Sequence, residues 1–182
     1  GILGYRTQDD RDIAADSPDR PAFEAYRASE IEAVKPVIAR LKETGWTFGS
    51  HTWGHIRLDT KPLQTVINDT ERWADEVGSL VGPTQILFYP HGGRPDGDDW
   101  HTTGERFKYL QSQGFRIFAS VGTSSFSYIK EDISAVICDR LHPDGTTLRG
   151  SKKVLSWYAQ FYDAKEIIDL DVRPDLGVRW DE

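Results

Sequence analysis

The chain reads as an α/β protein built on a mainly parallel sheet or a distorted (β/α) barrel. Two observations predict this. Apolar residues at three- and four-residue spacing alternate along the chain with short aromatic and β-branched runs. Three of the five histidines, His51, His91 and His142, fall at or just beyond the ends of those runs, where such folds gather their functional residues.

The elements follow in order. Gly1–Tyr5 fits the end of a strand, and Gln8–Arg20 is polar and acid-rich, a loop by composition. From Pro21 to Thr44, Ile31, Val34, Ile38 and Leu41 recur at helical spacing, and Gly45 supplies the stop. Trp46–Ser50 reads as a short buried strand that delivers His51. Pro62–Leu80 predicts a second helix, with Leu63, Ile67, Trp73 and Val77 on its core side and an end near Gly82. Ile86–Tyr89 is the next strand, broken by Pro90-His91-Gly92-Gly93. Gly104–Gln113 is helical and Gly114 ends it. Phe115–Val121 and Ser134–Leu141 are strands, and Leu155–Asp163 is a final helix. Residues 1–182 suit a single domain, and no repeat interrupts it.

Composition narrows the function. A net charge of -7 argues against a nucleic-acid partner, whose phosphates demand a basic face, and leaves a neutral glycan open. The single cysteine, Cys138, precludes an internal disulfide and suits a buried strand position. No apolar run is long enough to span a bilayer. There is no methionine, and the chain opens on Gly1, so the numbering is expected to begin inside a longer protein, after processing, or on a cloning scar.

The strongest local signal is Ser50-His51-Thr52-Trp53-Gly54-His55. If the segment is helical, two histidines four apart share a face and can reach one ion. The same spacing also occurs on solvated helix faces. The zincin glutamate after the first histidine is absent, so a metalloprotease is not indicated. His91 reads as a substrate contact or an exposed turn residue, and His142, before Pro143-Asp144-Gly145, as a general acid or an ordinary turn histidine. Asp96, Asp98 and Asp99 lack calcium-loop spacing and read as a solvated loop. Trp46 suits the core, and Trp53 and Trp100 a sugar-stacking surface.

With the helix before it, Gly45-Trp46-Thr47-Phe48-Gly49-Ser50-His51-Thr52-Trp53-Gly54-His55 resembles the second motif of the polysaccharide deacetylases, the NodB-homology carbohydrate esterases. That motif is His-Ser/Thr-x-x-His, and the resemblance makes His51 and His55 metal ligands. The third motif, Arg-x-Pro-Tyr-Gly, is matched by Phe88-Tyr89-Pro90-His91-Gly92, and a terminal Leu-x-His by Arg140-Leu141-His142. The likeness covers about residues 30 to 150. It implies a deacetylase-type fold and a divalent metal, zinc by preference. It also implies hydrolysis of acetyl groups, at carbon–nitrogen or ester bonds, on an acetylated polysaccharide or peptidoglycan-like glycan, in a secreted or cell-envelope setting. Tyr89, Pro90 and His91 would contact substrate, and His142 would protonate the leaving group.

Two departures accompany it. The first motif of the family, Thr-Phe-Asp-Asp-Gly, supplies a base and a metal ligand, and its only candidate here is Thr7-Gln8-Asp9-Asp10. Only one helix lies between that run and the strand that delivers His51, where the family needs a further strand, so Asp9 and Asp10 read as loop acids, and the aspartate pair and its strand are expected upstream of residue 1. Phe88 replaces the arginine that orients the base. Both departures favour a second reading, a non-catalytic carbohydrate-binding domain on a degenerate deacetylase scaffold.

Overall fold

The computed structural model describes residues 13–14, 16–96, 102–122, 127–131, 134–141 and 143–182, with the backbone alone at 127, 128 and 130. Gly1–Tyr5, Thr7–Asp10, Asp98, Asp99, Trp100 and His142 lie outside the described residues. The chain divides into two compact units, Gly1–Ser120 with Ser127–Cys138, and Val121–Phe126 with Asp139–Glu182.

In the first unit, helix α1 spans Arg20–Glu43, within one residue of the expected bounds. Gly45 ends it at φ 86°, with Gly45 N–H donating to Lys42 O and Trp46 N–H to Leu41 O, both at 3.0 Å. This is the glycine-dependent termination that a left-handed residue permits. Only Val34 and Ile38 of α1 are buried, against Phe48, Leu80 and Val81. Helix α2 spans Leu63–Trp73, widens into a π-helical turn over Ala74–Gly78, and closes with α3, Ser79–Val81. The buried face of α2 is Val66, Asp69, Thr70 and Trp73, whereas the apolar residues alone predicted Leu63, Ile67, Trp73 and Val77. Strand β1 is Ile86–Phe88, followed by a 3-10 turn at Pro90–Gly92. Helix α4 is Glu105–Ser112, and Gly114 (φ 97°) ends it as Gly45 ends α1.

Strand β2 is Ile117–Val121, β3 is Ser127–Lys130 and β4 is Ala135–Arg140; the sheet order is β1-β2-β4-β3. β1 and β2 are parallel, with Leu87 opposite Phe118. β3, which the sequence pattern did not predict, pairs antiparallel to β4 with Ile129 opposite Val136. The architecture is therefore mixed helix and strand, with a small sheet whose β1–β2 pair is parallel. Leu58, Val66, Leu87, Tyr89, Phe107, Leu110, Phe115, Phe118, Ala135 and Ile137 form the core. At its centre the Phe107 and Phe118 rings lie 4.6 Å apart.

The expected strand at Trp46–Ser50 reduces to one residue. Ser50 alone bridges Leu87, in parallel sense, and Trp46 is 67 % exposed rather than core. Gly49 sits so close to β1 that a Cβ there would lie 2.6 Å from Phe88 Cε2.

In the second unit, Asp144 caps the short helix α5, Gly145–Leu148. Its carboxylate accepts from Thr146 N–H and Thr147 N–H at 2.8 Å, so Asp144-Gly145 starts a helix rather than making a free turn. Helix α6 is Lys152–Tyr158, beginning three residues earlier than predicted, and α7 is Ala164–Ile167. The Trp180 indole N–H donates to Leu148 O at 2.8 Å, which ties the C-terminal segment to α5.

Candidate metal centre

Ser50 N–H donates to Ile86 O and Phe88 N–H to Ser50 O, each at 2.8 Å. The bridge is parallel, so the chain leaves the sheet after Ser50 at the same end as β1 leaves after Phe88. His51 and the Pro90–Gly92 turn therefore emerge together, at the strand ends where α/β proteins build sites.

The His51–His55 segment is not helical. Thr52 (φ 60°) and His55 (φ 50°) occupy the left-handed region, which costs a residue with a Cβ about 1–2 kcal/mol. The two rings meet all the same, with centroids 4.9 Å apart at an interplanar angle of 71°. A kinked loop thus achieves what the sequence suggested a helix face would do. His51 Nδ1 lies 2.8 Å from Phe88 O. A carbonyl can only accept, so Nδ1 carries the proton and Nε2 of the neutral ring keeps its lone pair, the form a metal requires.

Polar anchors hold the loop. Trp53 N–H and Gly54 N–H donate to the two carboxylate oxygens of Asp69 at 2.8 and 2.7 Å. Ile56 N–H donates to Thr52 Oγ1 at 3.1 Å. Trp53 is buried rather than offered to sugar. Its indole N–H donates to Glu76 Oε2 at 2.8 Å, and the Arg72 guanidinium lies 3.7 Å over the ring. Glu76 also pairs with Arg27 and Arg72 at 2.8 Å. Asp69 was missed in the sequence because a search for apolar periodicity passes over a carboxylate. An acid on the inward stripe of α2, between Val66 and Trp73, was the available signal.

The three residues expected at substrate part company. Tyr89 and Pro90 are buried, Tyr89 at 2 % exposure with its ring centroid 6.2 Å from that of Phe118. Burial pushes the Tyr89 hydroxyl well above the usual tyrosine range. Side-chain contact with a polymer does not suit either residue. His91 is exposed, adopts φ 55°, and brings its ring centroid to 4.4 Å from that of His55. Behind it, Gly93 leaves room for Asp59, whose Oδ1 would lie 2.6 Å from a Cβ at that position. The Arg57 side chain, hydrogen-bonded to Asp59, holds that carboxyl below the usual range. Asp96 is also no solvated loop acid: it pairs with Arg106 at 2.9 Å and accepts the Phe107 N–H of α4 at 3.0 Å.

Two neighbouring imidazoles, one with its tautomer set by a carbonyl, are a donor pair suited to zinc or a similar ion. Among the described residues no group of three His, Cys, Asp or Glu side chains could hold a metal. The fit is thus to two ligands, and His91 extends a ring cluster without completing a triad. Phe88, expected from the resemblance in place of an arginine, lies with its side chain against Gly49 and brings no charge.

A family model described as polysaccharide deacetylase matches residues 19–109, half of the chain. The match contains His51, His55 and the Phe88–Gly92 run and stops short of His142. No curated protein and no solved structure matches the chain.

Proposed function

We propose, from the premise that this chain belongs to the polysaccharide deacetylase family, that it is a metal-dependent hydrolase removing acetyl groups from a carbohydrate. The observation that carries this reading is the His51–His55 pair, with rings 4.9 Å apart and His51 oriented by Phe88 O. His51 and His55 would be two ligands of a divalent ion, zinc by preference. The chemistry such an ion supplies is Lewis acidity toward the acetyl carbonyl and toward water. His91, exposed beside His55, contacts the sugar, and the backbone of the Tyr89–Gly92 turn lines the approach to it. The resemblance would give His142, which lies outside the described residues, the protonation of the leaving nitrogen or oxygen. Among the described residues no third His, Cys, Asp or Glu joins the pair to hold a metal. The family's acetylated glycans, of polysaccharide or peptidoglycan type, are the substrate class, and a secreted or envelope location suits them. No helix among the described residues is long and apolar enough to cross a membrane.

A second reading has a specific observation behind it. Phe88 stands where the family carries its base-orienting arginine, which favours a carbohydrate-binding domain without catalysis. Zinc content by plasma mass spectrometry and acetate release from N-acetylglucosamine oligomers separate the two. Near-stoichiometric zinc and acetate release, both lost in His51→Ala/His55→Ala, support the hydrolase. Oligomer binding without acetate release, unchanged in that double variant, supports the binding domain.

A further inference from the structure

The histidine loop has an energetically unfavourable shape, and two of the hydrogen bonds that hold it go to one carboxylate. Thr52 and His55 are left-handed, and the peptide units between them present two adjacent N–H groups, of Trp53 and Gly54, to a single carboxylate. That carboxylate, Asp69, is 8 % exposed and sits on the inward face of α2 between Val66 and Trp73, both in the protein interior. We infer that Asp69 is the positioning residue of the histidine pair. Its two oxygens fix the Trp53–Gly54 backbone, and through it the spacing at which His51 and His55 are presented.

A carboxylate suits this task because it is acceptor-only and each oxygen takes one N–H. An asparagine would keep the size but aim an NH₂ group at one of the two donors. The Trp53 side chain is the second tether, through Glu76, and holds the indole rather than the backbone between the histidines. Release of the backbone lets Thr52 and His55 relax toward ordinary φ values, and the rings separate.

The experiment compares wild type, Asp69→Asn and Val66→Ala. Val66→Ala lies on the same helix face and weakens packing without touching the loop bonds. Two readouts are taken on each folded protein: the NMR ring-to-ring contact between His51 and His55, and Co²⁺ affinity from the visible spectrum. The Co²⁺ measurement rests on the metal reading proposed above, and the ring contact does not. Asp69→Asn is expected to lose the ring contact and to weaken Co²⁺ about 10–100-fold, the usual cost of removing an outer partner of metal ligands, while Val66→Ala retains both. Retention of the ring contact in Asp69→Asn, or equal loss in Val66→Ala, overturns the assignment. If wild type takes up no Co²⁺, the metal reading fails on its own and the ring contact still judges Asp69. Should Asp69→Asn fail to fold, hydrogen exchange in wild type decides. Trp53 and Gly54 amides protected like those of α2 support the anchor, and free exchange against a protected α2 overturns it.

Discussion

The loop from Ser50 to Ile56 and the turn from Tyr89 to Gly93 leave one sheet side by side, and each carries a histidine in the left-handed region. They are held by different forces. The loop hangs on directional bonds from its backbone to Asp69, with Trp53 pinned by Glu76 and Arg72. The turn is fixed by burial of Tyr89 and Pro90, with a Ser120 hydroxyl donating to Gly92 O at 3.0 Å. Apolar burial sets where a segment lies but tolerates small rotations, whereas two hydrogen bonds to one carboxylate set a backbone orientation. The segment with two candidate ligands has the directional support, and the segment with one exposed histidine has the packed support.

Large truncations test that contrast most directly. Tyr89→Ala removes a buried aromatic and is expected to cost about 4 kcal/mol in urea unfolding, falling on the whole core around Phe118. Asp69→Ala leaves two inward N–H groups without their carboxylate and should cost about 3 kcal/mol. Its signature differs, because the His51–His55 ring contact should disappear while core amides stay protected. If both variants gave the same local pattern, the two segments would share one support and the contrast would collapse.

A smaller effect separates the segments by their strain. His91→Gly removes a left-handed residue with a Cβ and, among the described residues, no side-chain hydrogen bond to the turn, so it should stabilise by about 1 kcal/mol. Thr52→Gly relieves the same conformation but loses the Ile56 N–H bond to Thr52 Oγ1, and its net change should lie near zero. Thermal unfolding of the two variants side by side reads the difference, and equal gains would mean that the hydroxyl contributes nothing to the loop.

The smallest expected effect is in acid. The hydrogen bond from Arg57 lowers the Asp59 carboxyl below its ordinary value of 3.8, with burial opposing. A depressed folded-state value means that the stabilisation is complete above the unfolded value and drains away as pH falls through the folded one. Arg57 is half exposed, so the contribution is under about 1 kcal/mol. Wild type should therefore lose stability relative to Asp59→Asn below about pH 4 and run parallel to it above. A constant offset across that range would remove the Arg57–Asp59 pair as a source of acid-sensitive stability.

Much of this could be read from the chain itself. Periodic apolar residues and glycine stops gave α1, the continuous helical run from α2 through α3, α4 and the strands β1, β2 and β4 within a few residues, because Gly45, Gly82 and Gly114 each take a positive φ that ends a helical run. Although a kinked loop and not a helix brings the rings together, the approach of His51 and His55 was legible in their four-residue spacing. Trp46 and Trp53 were not. One is exposed and the other buried under Arg72, and an indole's sequence neighbours do not say which side of it faces solvent. β3 escaped because its pairing with β4 is its reason to be a strand.

Helix ends, glycine turns and the four-residue spacing of His51 and His55 were determined by sequence alone, because backbone preference acts over a few neighbouring residues. Tertiary structure decided the shape of the histidine loop, the burial of Tyr89 and the place of Asp69 beneath Trp53 and Gly54. Those depend on groups far apart in the chain meeting in three dimensions. A carboxylate on a helix becomes an anchor only where packing brings two N–H groups within 3 Å of it.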